Sequence, residues 1–89
     1  MEIKIGNTHK TETTFGIEMS TGKTTGYVFF SSRTGSINVC CANASHRTGR
    51  GFGRTFWSIE EAVAGYKSAA MKEIISEAAR QWMVARAAA

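Results

Sequence analysis

Apolar and polar side chains alternate along most of the first half of the chain. Between Glu12 and Met19, the residues Phe15, Ile17 and Met19 fall on one face, with Gly16 and Glu18 on the other. Such a period of two is typical of a half-buried β-strand. The runs GYVFFSS, INVCCAN and FGRTFW follow, and the glycine-containing turns TGKTTG and SRTGS separate the first three strands. The pattern predicts four consecutive antiparallel strands, with EIKI at the start as a candidate fifth strand at the edge.

The period changes at Ser58 from two residues to about 3.6. Ser58 and Glu61 have the spacing of a capping box, in which Ser58 accepts from the backbone of Glu61 and the Glu61 side chain reaches back to Ser58. An apolar stripe at helical spacing follows: Ile59, Val63, Tyr66, Ala70, Ile74, Ala78 and Trp82. We therefore predict one long amphipathic helix over residues 58–87.

Strands and helix can bury their apolar faces only against each other. The sequence therefore predicts an α+β fold, an antiparallel β-meander of four or five strands with one long C-terminal amphipathic helix packed on one face. The chain of 89 residues suits a single domain, with 1–57 as the sheet and 58–87 as the helix. The predicted inner face of the sheet comprises Phe15, Ile17, Tyr27, Phe29, Ile37 and Val39.

This arrangement leaves apolar residues without a partner. A helix from residue 59 to 86 would span about 40 Å, whereas the strands span about 20 to 23 Å. Either the helix breaks, near Ser76, or its end overhangs the sheet. On the sheet, Val28 and Phe30 of the run GYVFFSS point away from the predicted inner face, toward either a partner or the glycine-rich loop 44–53. The candidate oligomer interface is Val28, Phe30, Trp82 and Met83, which predicts a homodimer.

Positive charge is concentrated in the middle of the chain. The net charge is +4, and between Glu18 and Glu60 there are five Lys or Arg residues and no acid. Such a field attracts polyanions or an acidic protein surface. The stretch SHRTGRGFGR, residues 45–54, holds most of this charge. The predicted partner-binding or nucleic-acid-binding residues are Arg33, His46, Arg47, Arg50, Phe52 and Arg54.

The octet RGFGRTFW at residues 50–57 resembles, in its first four places, the RNP1 segment of RNA-recognition motif domains. Arg54 stands where that family has a base-stacking aromatic residue, and the chain lacks the family's order of strands and helices, so the family is not assigned. The same chemistry still makes Phe52 a candidate base stacker beside phosphate-binding arginines. The alternative is that Phe52 and Phe56 face the core and the arginines are solvated.

Residues suited to catalysis are few. The chain has no Asp, only two His, and two adjacent cysteines, Cys40 and Cys41, which on a strand point to opposite faces and cannot bridge each other. STGKTTG lacks the first glycine of a phosphate-binding loop, and GRGFG lacks the last glycine of a dinucleotide fingerprint. We predict no catalytic residue, metal site or cofactor. We also predict no membrane segment and a cytoplasmic location.

The general design of the chain, a meander with one helix, exposed apolar and arginine surfaces and no catalytic set, is similar to the small inhibitors that phages and mobile elements encode, including anti-CRISPR proteins. That resemblance implies stoichiometric binding to a nucleic-acid-handling complex in the host cytosol. The sequence thus predicts a non-catalytic binding protein that docks through its arginine-rich loop and an exposed sheet face. The alternative is a module that binds single-stranded nucleic acid directly.

Overall fold

The fold is α+β, as the alternating pattern predicts, and the first segment supplies a fifth strand. A computed structural model describes residues 2–41 and 53–87. The elements are β1 (Lys4–Lys10), β2 (Thr14–Thr21), β3 (Thr24–Ser31), β4 (Ile37–Cys41), β5 (Arg54–Phe56), α1 (Ile59–Ala64) and α2 (Ala69–Ala87). The strands form one antiparallel sheet in the order β1-β2-β3-β4-β5.

The turn between β2 and β3 sets the register of the sheet. Gly22 adopts φ 61 beside Lys23, and Thr21 pairs with Thr24, so the loop has only two residues. Counting outward from this turn places Ile17 opposite Val28. Because cross-strand partners share a face, Val28 lies on the face that holds the buried Ile17.

Val28 and Phe30 face the helices, and the prediction that they point outward is wrong. Both side chains are 0% exposed and belong to the core. Tyr27 and Phe29, predicted to be internal, lie on the opposite face of β3. β3 is apolar on both faces, so its own pattern could not distinguish them, and the register with β2 decides. The core consists of Ile17, Met19, Val28, Phe30, Ile37, Val39, Phe56, Ala62, Met71, Ile74, Ile75, Ala78 and Ala79.

The predicted long C-terminal helix is present as α2, and of the two alternatives for its length the helical region breaks, between Gly65 and Ser68. The Phe56 ring packs so closely on Gly65 that a Cβ there would lie 2.7 Å from Phe56 Cε1. Ser68 then starts α2, accepting a hydrogen bond from the backbone N–H of Met71 at 3.2 Å. The 19 residues of α2 span about 28 Å, close to the roughly 26 Å of an eight-residue strand. The break therefore removes the predicted mismatch in length, although it lies well before Ser76.

The predicted cap of the first helix forms with one change of partner. Ser58 Oγ accepts from the backbone N–H of Glu61 at 3.0 Å, as expected. Glu61 Oε1 accepts from the backbone N–H of Trp57 at 2.7 Å, one residue before the position that a capping box uses. Both bonds satisfy donors at the start of α1 and fix the connection from β5.

Strand β1 is an irregular edge strand. All seven of its residues are exposed, and its pairing with β2 shifts register between Ile5 and Thr8. The Glu18 carboxylate of β2 reaches across this bulge, where its Oε1 accepts from the backbone N–H and the side-chain amide of Asn7, each at 3.3 Å. A bulge of this kind bends the strand and interrupts its ladder of hydrogen bonds.

Candidate binding surfaces

The structure describes two of the six residues predicted to bind a partner. His46, Arg47, Arg50 and Phe52 lie outside the described residues, so their role stays a prediction. Arg33 is exposed in the turn between β3 and β4. Arg54 is exposed on β5, where it pairs with Val39 and therefore projects on the helix side of the sheet.

Arg54 holds the end of α1. Its Nη1 donates to the carbonyl oxygen of Gly65 at 2.6 Å, and its guanidinium carbon lies 5.1 Å from the ring centroids of both Phe56 and Tyr66. The last carbonyls of a helix have no intrahelical donor, and a cation is favoured there. Arg54 thus has a structural contact that the sequence did not indicate. Its predicted role in partner binding is not tested by this contact.

A second cation stabilises the same helix end. Lys72 of α2 donates from Nζ to the carbonyl oxygen of Val63 at 2.9 Å. Helix α1 has no basic residue in its own last turn, so both cations come from elsewhere in the chain. Burial raises the pKa of the neighbouring Tyr66 phenol, although the charge of Arg54 acts to lower it.

The predicted arginines are not neutralised by the helical glutamates in the part of the chain that the structure describes. There, neither Arg33 nor Arg54 forms an ion pair, and the ion pair present joins Arg80 to Glu77 within α2. Hydrogen bonds from Arg80 and then Gln81 lower the pKa of Glu77. Arg33 is thus an exposed cation, whereas the guanidinium of Arg54 is engaged by the Gly65 carbonyl and two aromatic rings.

An aromatic pair lies on the face of the sheet opposite the helices. The rings of Tyr27 and Phe29 stack with centroids 4.8 Å apart and an interplanar angle of 13°. The Phe29 ring packs against Gly16 of the neighbouring strand, where an added Cβ would clash with Phe29 Cε1. Both rings are half-buried by their neighbours on the sheet. We call this surface the open face and define it by Gly16, Tyr27, Phe29, Asn38, Cys40 and Thr55.

The open face is small and polar around its two rings. Asn38 and Thr55 are cross-strand partners, and the Thr55 hydroxyl donates to Asn38 Oδ1 at 2.6 Å. Cys40 lies on this face and Cys41 on the core side, as the alternation predicts, and both thiols are free. In residues 2–41 and 53–87, no three His, Cys, Asp or Glu side chains come together.

Trp82 and Met83, the other two residues of the predicted oligomer interface, lie on α2 and differ in exposure. Trp82 stacks on Phe30 with centroids 4.5 Å apart and is half-buried, so it is not the fully unburied end that an overhanging helix predicts. Met83 is 61% exposed. With Val28 and Phe30 internal, the homodimer stays a prediction that rests on Met83 and its neighbours. Within the described residues, no helix is long and apolar enough to cross a membrane.

Comparison with known protein families, curated proteins and solved structures gives no match to this chain.

Proposed function

We propose that this chain is a non-catalytic binding protein that acts by stoichiometric contact with an acidic partner, through the open face and the basic residues near it. The observation that carries the proposal is the stacked pair of Tyr27 and Phe29 on a sheet face that neither helix covers. The resemblance to phage-encoded inhibitors suggests the class of partner, a nucleic-acid-handling complex whose site or assembly is blocked by the contact.

The aromatic pair is suited to binding because it is already held in place. Phe29 is confined between Tyr27 and the backbone of Gly16, so little side-chain freedom remains to be lost on association. Aromatic side chains are enriched among the residues that contribute most of the energy of protein interfaces. A fixed pair of rings on a flat sheet would serve as the centre of such a contact.

The charge of the surrounding chain determines the kind of partner. No acidic residue occurs between Glu18 and Glu60, a stretch that contains all of β3, β4 and β5. The carboxylate of Glu18 itself is turned toward β1, where it accepts hydrogen bonds from Asn7. A surface with this bias attracts acidic partners and repels basic ones.

The test compares capture of host proteins by the wild-type chain, by Phe29→Ser, and by the matched control Thr25→Ser on the same strand and face. We expect one stoichiometric partner that Thr25→Ser retains and Phe29→Ser loses. Arg33→Glu should also weaken capture, and high salt should slow association. Equal capture by all variants would show that the open face is not the contact. Arg54→Glu is less suitable, because it also removes the hydrogen bond to Gly65.

A second candidate function is direct binding of single-stranded nucleic acid, and the parallel stacking of Tyr27 and Phe29 favours it. Aromatic rings on an open sheet stack with bases, and nearby arginines hold phosphates. Titration with labelled oligo(dT) and oligo(rU) tests it. If three or four phosphates are neutralised, the logarithm of the affinity should fall against the logarithm of salt concentration with a slope of roughly −2 to −4. Absence of binding at low salt would exclude this candidate and leave the protein partner.

A further inference from the structure

An open groove with a volume of about 470 Å³ lies on the helix side of the sheet, between the β1–β2 turn and the last turns of α2. Phe15 and Trp82 form its floor, and Lys10, Glu12 and Arg86 are at its rim. The volume is within the range of small-ligand sites, roughly 300 to 1,000 Å³. None of these residues belongs to the open face.

The floor of the groove is fixed by the core beneath it. The Trp82 indole stacks on Phe30 at 4.5 Å with an interplanar angle of 13°, and Phe30 is fully buried. The Phe15 ring also lies beside Phe30, with the two ring centroids 6.4 Å apart. Phe15 and Trp82 are both half-buried, and Phe30 covers one face of the indole.

The rim carries positive charge that is held in position before any ligand binds. The guanidinium carbon of Arg86 lies 4.7 Å from the centroid of the Trp82 ring, and the last turn of a helix favours a cation. Lys10 lines the groove from β1. In the described part of the chain, neither Lys10 nor Arg86 forms an ion pair. Two cations against the single Glu12 leave one net positive charge at the rim.

We propose that this groove binds an aromatic carboxylate. Because Phe30 and the Arg86 guanidinium occupy the two faces of the indole, a flat ring would pack on Phe15 and against the edge of Trp82. Its carboxylate would accept hydrogen bonds from the N–H groups of Arg86 with support from Lys10. A neutral ring would lose the ionic contact, and a cationic one would be repelled. The proposal is independent of the proposed function, because it uses a different surface and a different set of residues.

The test is an NMR titration with N-acetylphenylalanine and with its neutral amide, following the indole N–H of Trp82. Trp57, which is 64% exposed and lies elsewhere, serves as an internal control. We expect a saturating shift at Trp82 and not at Trp57, with the acid bound about fivefold more tightly than the amide, since an exposed ionic contact contributes up to about 1 kcal/mol. Equal affinities for acid and amide, or a shift at Trp57 alone, would overturn the proposal.

Variants on the surface test the same assignment without disturbing the core. Arg86→Gln and Lys10→Gln should still bind the amide but lose the preference for the acid. Arg80→Gln, on another side of α2 and paired with Glu77, should keep it. Retention of the preference in Arg86→Gln would reject the assigned role of the guanidinium. The aromatic carboxylate could belong to a free acid or to the C-terminus of a peptide, and a glycine-rich peptide that ends in phenylalanine distinguishes the two. Tighter binding of the peptide than of N-acetylphenylalanine would identify a chain terminus as the ligand. Equal binding would identify a free aromatic acid.

Discussion

Strand β3 contributes to two stacked aromatic pairs, one on each face of the sheet. On the covered face Phe30 stacks on Trp82 at 4.5 Å, and on the open face Phe29 stacks on Tyr27 at 4.8 Å, each with an interplanar angle of 13°. The first pair is joined to the buried core, whereas the second remains half-exposed. The same geometry therefore stabilises the fold in one case and lies on the proposed binding surface in the other.

The largest expected effect is the difference in the free energy of unfolding between substitutions at Phe30 and at Phe29. Phe30→Ala should lower the free energy of unfolding by about 3 to 5 kcal/mol, because it removes a fully buried ring. Phe29→Ala should cost about 1 kcal/mol or less, since its ring is already partly in solvent. Urea denaturation measures both, with Phe30→Leu as a milder variant if the alanine protein does not fold. Equal losses at the two positions would contradict the assignment of faces.

The next effect compares two glycines that each lie against a phenylalanine ring. Gly65→Ala should cost about 1 to 2 kcal/mol, because the Phe56 ring 2.7 Å from the new Cβ is buried and cannot move freely. Gly16→Ala should cost less, since the Phe29 ring that the new Cβ would displace is half-buried and borders solvent. It should instead separate Phe29 from Tyr27 and weaken partner binding. A large destabilisation by Gly16→Ala would mean that the open face is packed as tightly as the core.

A smaller effect distinguishes the two described arginines. Arg54→Ala removes the hydrogen bond to Gly65 and the contacts with two rings, so we expect a loss of about 1 to 2 kcal/mol. Arg33→Ala, in an exposed turn, should stay within about 0.5 kcal/mol of the wild type. Thermal unfolding of the pair measures the difference. If Arg54→Ala and Arg33→Ala melt at the same temperature, the contacts of Arg54 do not stabilise the fold.

The smallest expected effect is the dependence of stability on pH that Tyr66 contributes. Burial raises the pKa of Tyr66 above its ordinary value, so the folded state favours the neutral phenol. The resulting stability is fully present below the unfolded-state pKa of about 10 and is lost as pH rises through the folded-state value. Tyr66→Phe should therefore lose less stability than the wild type when the pH is raised above about 10. If both proteins lose the same stability at high pH, groups other than Tyr66 cause the loss.

Local patterns predicted the elements of the fold better than their arrangement. The strands, the turns and the Ser58 cap follow from short-range chemistry, and these are confirmed. The pattern of β3 alone does not distinguish its two faces, because both are apolar. Counting outward from the two-residue turn at Gly22 and Lys23 places Val28 opposite Ile17 and identifies the buried face. The helix break also left a local signal, since Gly65 is followed by Ser68 at the correct distance to cap a second helix.

The candidate surfaces were less predictable, because they depend on residues distant in sequence. Arg54 was recognised as a cation, but its contact with Gly65 exists only because β5 packs beside the end of α1. The groove at Trp82 combines residues of β1, β2 and α2 that no short motif connects. The role predicted for Arg47, Arg50 and Phe52 stays a prediction.

The irregular first strand has a consequence for the behaviour of the protein at high concentration. An exposed β-edge normally offers a regular row of amide and carbonyl groups onto which a strand from another molecule can add. Here that row is interrupted between Ile5 and Thr8, and Lys4 and Lys10 stand at its two ends. Extension of the sheet from molecule to molecule at this edge is thereby opposed both by misaligned hydrogen-bonding groups and by charge repulsion.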